Sequence, residues 1–103
     1  MKTYYHATEY TNLISITDNG IKANNFEGIV YLCEESDDAA KFLAIRGIKD
    51  IVTFKVKIYK ADEDKIIETF DHNPYIFKCR AFGHIGDISP DLIEPHLRYD
   101  LRK

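Results

Sequence analysis

The sequence predicts an α+β fold with a mainly antiparallel sheet and two short helices. Aromatic and β-branched stretches at Thr3–Thr8, Ile29–Cys33 and Ile51–Ile58 have the make-up of strands. Two apolar stretches, Leu13–Ile16 and Ala39–Leu43, follow polar capping residues and run on to Gly20 and Gly47, the punctuation of helices. Short helices cluster early and strands dominate late, which sets the class.

With 103 residues and 45% hydrophobic content, the chain fits one compact domain spanning 1–103 with one core. Seven Tyr and six Phe without Trp argue against disorder and supply bulky filling for a small interior. A net charge of −3 from 14 basic and 17 acidic residues makes no global field for attracting nucleic acid. No apolar run approaches the ~20 residues that cross a bilayer. The start Met1-Lys2-Thr3-Tyr4-Tyr5-His6 lacks the apolar segment of a signal peptide. The expectation is a cytoplasmic protein with no membrane partner.

Cys33 and Cys79 make no disulfide framework and are expected as reduced thiols inside strands. Neither belongs to a C-x-x-C pair, and His6, His72, His84 and His96 fall one per segment. No metal site is therefore expected. No basic cluster beside either cysteine marks a lowered thiol pKa, which argues against a thiol enzyme.

In chain order, Thr3–Thr8 is the first strand, and Thr11 or Asn12 caps a helix carrying Leu13, Ile14 and Ile16. Asn19-Gly20 stops that helix, and Ile21 is expected to fold back onto it. Lys22–Gly28 is polar and turn-prone, a loop suited to border a site. Strand Ile29–Cys33 follows, then a helix begun by Ser36, whose hydroxyl is expected to satisfy a free amide, with Asp37 and Asp38 complementing the helix dipole. In Ile51–Ile58, Val52, Phe54, Val56 and Ile58 alternate with Thr53, Lys55 and Lys57, predicting one core face and one solvated face.

Asp62-Glu63-Asp64 reads as a surface turn. Glu68–Pro74 reads as a loop with Asp71, His72 and Asn73 at its tip. Tyr75–Ile85 is one long strand or two short ones, with Gly83 as a candidate bulge. Gly86–Pro90 turns the chain, Ser89-Pro90-Asp91 starts a single helical turn, Leu92-Ile93 returns to the core, and His96–Lys103 forms an edge strand or frays.

Tyr5-His6-Ala7-Thr8, the helix ending in Asn19-Gly20-Ile21, Gly28-Ile29-Val30-Tyr31-Leu32, Asp38-Ala39-Ala40, Val52-Thr53-Phe54-Lys55-Val56 and Gly86-Asp87-Ile88-Ser89-Pro90 stand in an order and spacing that resembles the ADP-ribosyltransferase superfamily. That superfamily includes poly-ADP-ribose polymerases and the catalytic part of RNA 2′-phosphotransferases. The resemblance covers nearly the whole chain and rests on order more than on any one signature. It implies a mainly antiparallel split sheet and a cleft between the first two strands that binds NAD or an ADP-ribosyl group. By the same resemblance His6 holds the adenosine ribose with support from Thr8, and Tyr31 stacks on the nicotinamide ring.

The family's third member, a Glu that steadies the charge developing as the glycosidic bond breaks, is expected near Ala81, where the run Cys79-Arg80-Ala81-Phe82-Gly83-His84 holds no carboxylate. Loss of one such group typically costs on the order of 10² to 10³ in rate. Glu35 or Glu34 beside Tyr31, or the substrate itself, are the candidate sources of the acid. Arg80 and His84 are candidates for contacting phosphate in a reaction closer to the 2′-phosphotransferases. Ala7 stands where the family commonly has Gly, a methyl that narrows the pocket.

The binding set implied is thus His6, Ala7, Thr8, Tyr31 and Arg80, and the catalytic set His6, Tyr31 and Glu35. The partner expected is a nucleotide, with a protein or nucleic-acid acceptor if ADP-ribose is transferred. The alternative is a module that kept the fold, lost the acid and binds a protein or nucleotide partner through the same cleft.

Overall fold

The computed structural model describes residues 1–24, 28–69 and 81–102. The expected polar tip Asp71-His72-Asn73, the start of the strand expected at Tyr75, and both Cys79 and Arg80 lie outside the described residues.

The strands are β1 (Lys2–Glu9), β2 (Ile29–Cys33), β3 (Asp50–Ile58), β4 (Ile66–Thr69), β5 (Ala81–Ile85) and β6 (Ile93–Asp100). They form one six-stranded antiparallel sheet in the order β4-β5-β2-β1-β3-β6. Two helices, α1 (Leu13–Asn19) and α2 (Ser36–Ala44), cover opposite faces. The assignment of faces follows from register. Tyr4 pairs with Val56, so Tyr4, Val56, Ile58, Leu32 and Phe82 share one face, where the core also takes up Ile16 of α1. Thr53, of opposite parity, meets Ser36 of α2 on the other.

That second helix changes the expectation for β3. Its first half has no solvated face: Ile51, Val52, Thr53 and Phe54 are all buried, because α2 roofs the side that alternation had left to water. Lys55 and Lys57, further along the strand, keep partial exposure.

Both helix starts depart from simple capping. Asn12 occupies the cap position of α1 without a side-chain cap; its Nδ2 instead donates to Thr8 Oγ1 at 2.9 Å. The cap position of α2 is Glu35, also without a side-chain cap. The Ser36 hydroxyl, buried, bonds Thr53 Oγ1 and Tyr99 Oη, each at 2.8 Å. Tyr99 Oη also donates to Asp37 Oδ1 at 2.6 Å, so this network ties α2 to β3 and to the edge strand β6. A buried hydroxyl must find partners, and here tertiary partners displaced the local amide.

Gly20 ends α1 with φ 82° and ψ −177°. Ile21 joins the core cluster against which Ile16 of α1 packs. It is buried and makes a two-way antiparallel bridge with Ile88, Ile21 N–H to Ile88 O at 2.9 Å and Ile88 N–H to Ile21 O at 2.8 Å. Asp87 secures the same junction by accepting from Ala23 N–H at 2.7 Å.

Further corrections fall at the β4 end of the sheet. Glu68 and Thr69 are strand residues of β4, not the start of a loop. Gly83 is no bulge: it pairs in register with Tyr31 and with Ile67. Its reason is space, since a Cβ there would collide with the Ile29 side chain. The register shift lies instead between Val52 and Phe54, where β3 meets β6. The acidic turn is an exposed 3-10 segment, Lys60–Lys65, and the C-terminal edge strand expected from His96 onward is β6.

Candidate functional site

β1 pairs with β3 along its whole length, from Lys2 opposite Ile58 to Glu9 opposite Ile51. β2 pairs with β5 just as fully. Between β1 and β2, however, the register holds a single pair, Tyr5 opposite Cys33. The sheet is thus two three-stranded halves hinged at one point. Continuing that register would set Ala7 opposite Tyr31, and there the strands have parted.

Where the main-chain ladder stops, a side chain takes over: His6 Nδ1 lies 2.8 Å from the Tyr31 carbonyl oxygen. A carbonyl only accepts, so Nδ1 carries the proton and the neutral ring keeps Nε2 as an acceptor. Burial pushes the His6 imidazole below its ordinary value of 6.5, opposed in part by the bond to Tyr31. The ring is therefore neutral near pH 7.

The sign of the pH dependence follows. Below pH 6.5 the unfolded chain binds this proton before the folded one does, so stability falls as pH drops through that value. Urea midpoints measured from pH 7.5 to 5.5 are expected to decline, and the decline is expected to shrink in His6→Gln. An unchanged decline in the variant would assign the titration to another group.

Two cavities open on either side of the parting, and His6 lines both. The one under α2, of about 450 Å³, is walled by Ala7, Tyr31, Cys33 and Ala81 from the sheet, by Phe42, Leu43 and Arg46 from α2 and its C-terminal end, and by Thr69 from β4. The one under α1, of about 470 Å³, is lined by Thr8, Asn12, Ser15, Asn19, Lys22 and Asn24 among others. The first is mainly apolar and the second polar.

The structure therefore brings together four of the residues singled out from sequence: His6, Ala7 and Tyr31 at the α2-side cavity, His6 and Thr8 at the α1-side one. Ala81, where an acid was expected and is missing, stands in the cavity wall. Glu35 is not brought in. It is exposed on the residue before α2, and neither it nor Glu34 lines either cavity, because the strand-to-helix turn carries both away from the parting.

His84, the proposed companion of Arg80, is buried. It faces the α1 side of the sheet through its pairing with Val30, and its Nδ1 donates to Gly86 O at 2.9 Å. Arg80 itself is outside the described residues. Sequence reasoning passed over Arg46, Thr69 and Phe42. Nothing local marks them, since they meet only when α2 is laid across the sheet.

Among the described residues no group of three or more His, Cys, Asp or Glu is placed to hold a metal ion. Cys33 is a buried thiol, and no described helix is long and apolar enough to cross a membrane. No protein-family model, curated protein or solved structure matches the chain.

Proposed function

We propose that the chain is an ADP-ribosyltransferase-like domain that binds NAD or an ADP-ribosyl group in the cleft between β1 and β2. The observation that carries this reading is the juxtaposition of His6 and Tyr31 at the parting of the sheet, 2.8 Å apart through the His6 ring and the Tyr31 carbonyl. The two side chains lie 25 residues apart in sequence and share one cavity wall. Supporting it are the helix on each face, the single-pair hinge between the sheet halves, and the acceptor Nε2, a partner for a ribose hydroxyl.

Binding is favoured over transfer. Cleavage of the nicotinamide bond develops positive charge at the anomeric carbon, and its stabilisation needs a preorganised negative group. Among the described residues that line the α2-side cavity there is no carboxylate. The test is a titration of the ¹⁵N-labelled chain with NAD and with ADP-ribose. Amide shifts are expected to concentrate at residues 5–8 and 29–33, with nicotinamide release from NAD at background. Absence of shifts in both segments would overturn the reading.

A further inference from the structure

β6 closes one end of the sheet, and among the described residues no strand pairs with its outer edge. An open edge offers main-chain N–H and C=O groups to another chain. The first half of β6 is blunted against this: Pro95 has no N–H to give, and the register shift sets His96 and Leu97 against the single residue Thr53, which bends the strand.

The second half is not blunted. Leu101 N–H donates to Lys49 O at 2.6 Å and Leu97 N–H to Thr53 Oγ1 at 3.3 Å, so residues 97, 99 and 101 turn their main chain toward β3. Alternation along the strand then turns the N–H and C=O of Arg98 and Asp100 outward. Within this half, three two-fold antiparallel registers set such outward groups against those of a second copy. Arg98 opposite Arg98 brings two cations together. Asp100 opposite Asp100 brings two acids together and sets Arg98 against Arg102. Arg98 opposite Asp100 matches opposite charges, and the two-fold axis makes that match twice.

That third register also sets Leu97 opposite Leu101, which are 46% and 47% exposed. Both lie on the α2 side of the sheet, as does Tyr99 between them, whose hydroxyl bonds Asp37. The charged groups have capacity left for a partner. Arg98 gives Nε and Nη2 to Asp50 and keeps Nη1, and Asp100 Oδ2 accepts one bond, from Arg102, with a second lone pair to spare. A run of lysines along the edge would repel a second copy in every register, whereas alternating signs select one.

We infer that β6 is the interface between two copies of this chain, paired antiparallel through residues 96–102 about a two-fold axis at Tyr99. Arg98 of each copy stands opposite Asp100 of the other, and one sheet runs through both. The interface is small, below about 1,200 Å² of buried surface, so a dissociation constant on the order of 10–100 μM is expected. β3 and β1 separate β6 from the cleft, so the inference is independent of the nucleotide reading.

Sedimentation velocity of the full chain from about 5 μM to about 1 mM tests it, together with amide hydrogen exchange over the same range. A monomer–dimer equilibrium is expected, with exchange at the Arg98 and Asp100 amides slowing as concentration rises. Asp100→Lys is expected to weaken the dimer about tenfold or more, because the axis makes each change count twice. Arg98→Glu is expected to do the same, and an equimolar mixture of the two variants to recover the dimer, since each then meets its opposite charge. Thermal melts check that each variant is folded; if Arg98→Glu is not, the exchange pattern of the unaltered chain and the loss in Asp100→Lys decide. A monomer at every concentration, a dimer indifferent to Asp100→Lys, concentration-independent exchange at Arg98 and Asp100, or two folded variants that fail to pair overturns the inference.

Discussion

Replacing Gly20 with alanine is expected to lower the free energy of unfolding by about 3–5 kcal/mol, the sum of a strained backbone and an overpacked junction. Its φ of 82° with ψ near 180° falls in a region that only glycine populates readily. A Cβ there would also run into the Ile88 carbonyl oxygen and against the Pro90 ring. That oxygen accepts from Ile21 N–H, so relief by moving it breaks the bridge holding the segment after α1 to the chain before β6. Against a typical total of 5–15 kcal/mol, such a loss leaves the domain close to unfolding. Urea denaturation followed by far-ultraviolet circular dichroism measures it. Gly47→Ala is the control: Gly47 also has positive φ, but a Cβ there meets nothing within 4 Å, so its cost is expected to be the smaller.

His6→Ala is expected to weaken ADP-ribose binding roughly 10- to 30-fold while the fold is retained. The change removes the Nε2 acceptor, worth about 1–2 kcal/mol to a ligand hydroxyl held in a partly dry site. It also removes the Nδ1–H bond to the Tyr31 carbonyl, which sets the width of the parting. The stability cost is about 1 kcal/mol, because β1 keeps its full pairing with β3 and the core on that face is centred on Tyr4, Leu32 and Val56. Calorimetric affinity and a thermal melt separate the two effects. An unfolded product would make His6 a structural residue first, and unchanged affinity would remove it from the binding set.

Parts of this molecule were legible one residue at a time. The alternation in Val52–Ile58 located β3, Asn19-Gly20 the end of α1, and Pro90 the single turn before β6, because each signal is local. The signals that misled were local too. Ser36 and Asn12 are good capping residues, yet the Ser36 hydroxyl turned to the distant Thr53 and the Asn12 amide back to Thr8, four residues before it, so neither side chain caps its helix. Ile66–Thr69 hid as a strand because an edge strand of four residues has almost no period to show.

The site divides along the same line. The sequence by itself determined the α+β class with its mainly antiparallel sheet and the strands that bear His6 and Tyr31. Tertiary structure alone decided that β1 and β2 share one register pair and then part, that the His6 ring replaces the main-chain ladder there, and that Arg46 and Thr69 meet in one cavity. Strand identity follows from side chains along the chain, whereas a parting in a sheet follows from how far each strand commits to its other neighbour. β1 is drawn along its whole length to β3 and β2 to β5, and the gap left between them is the cleft.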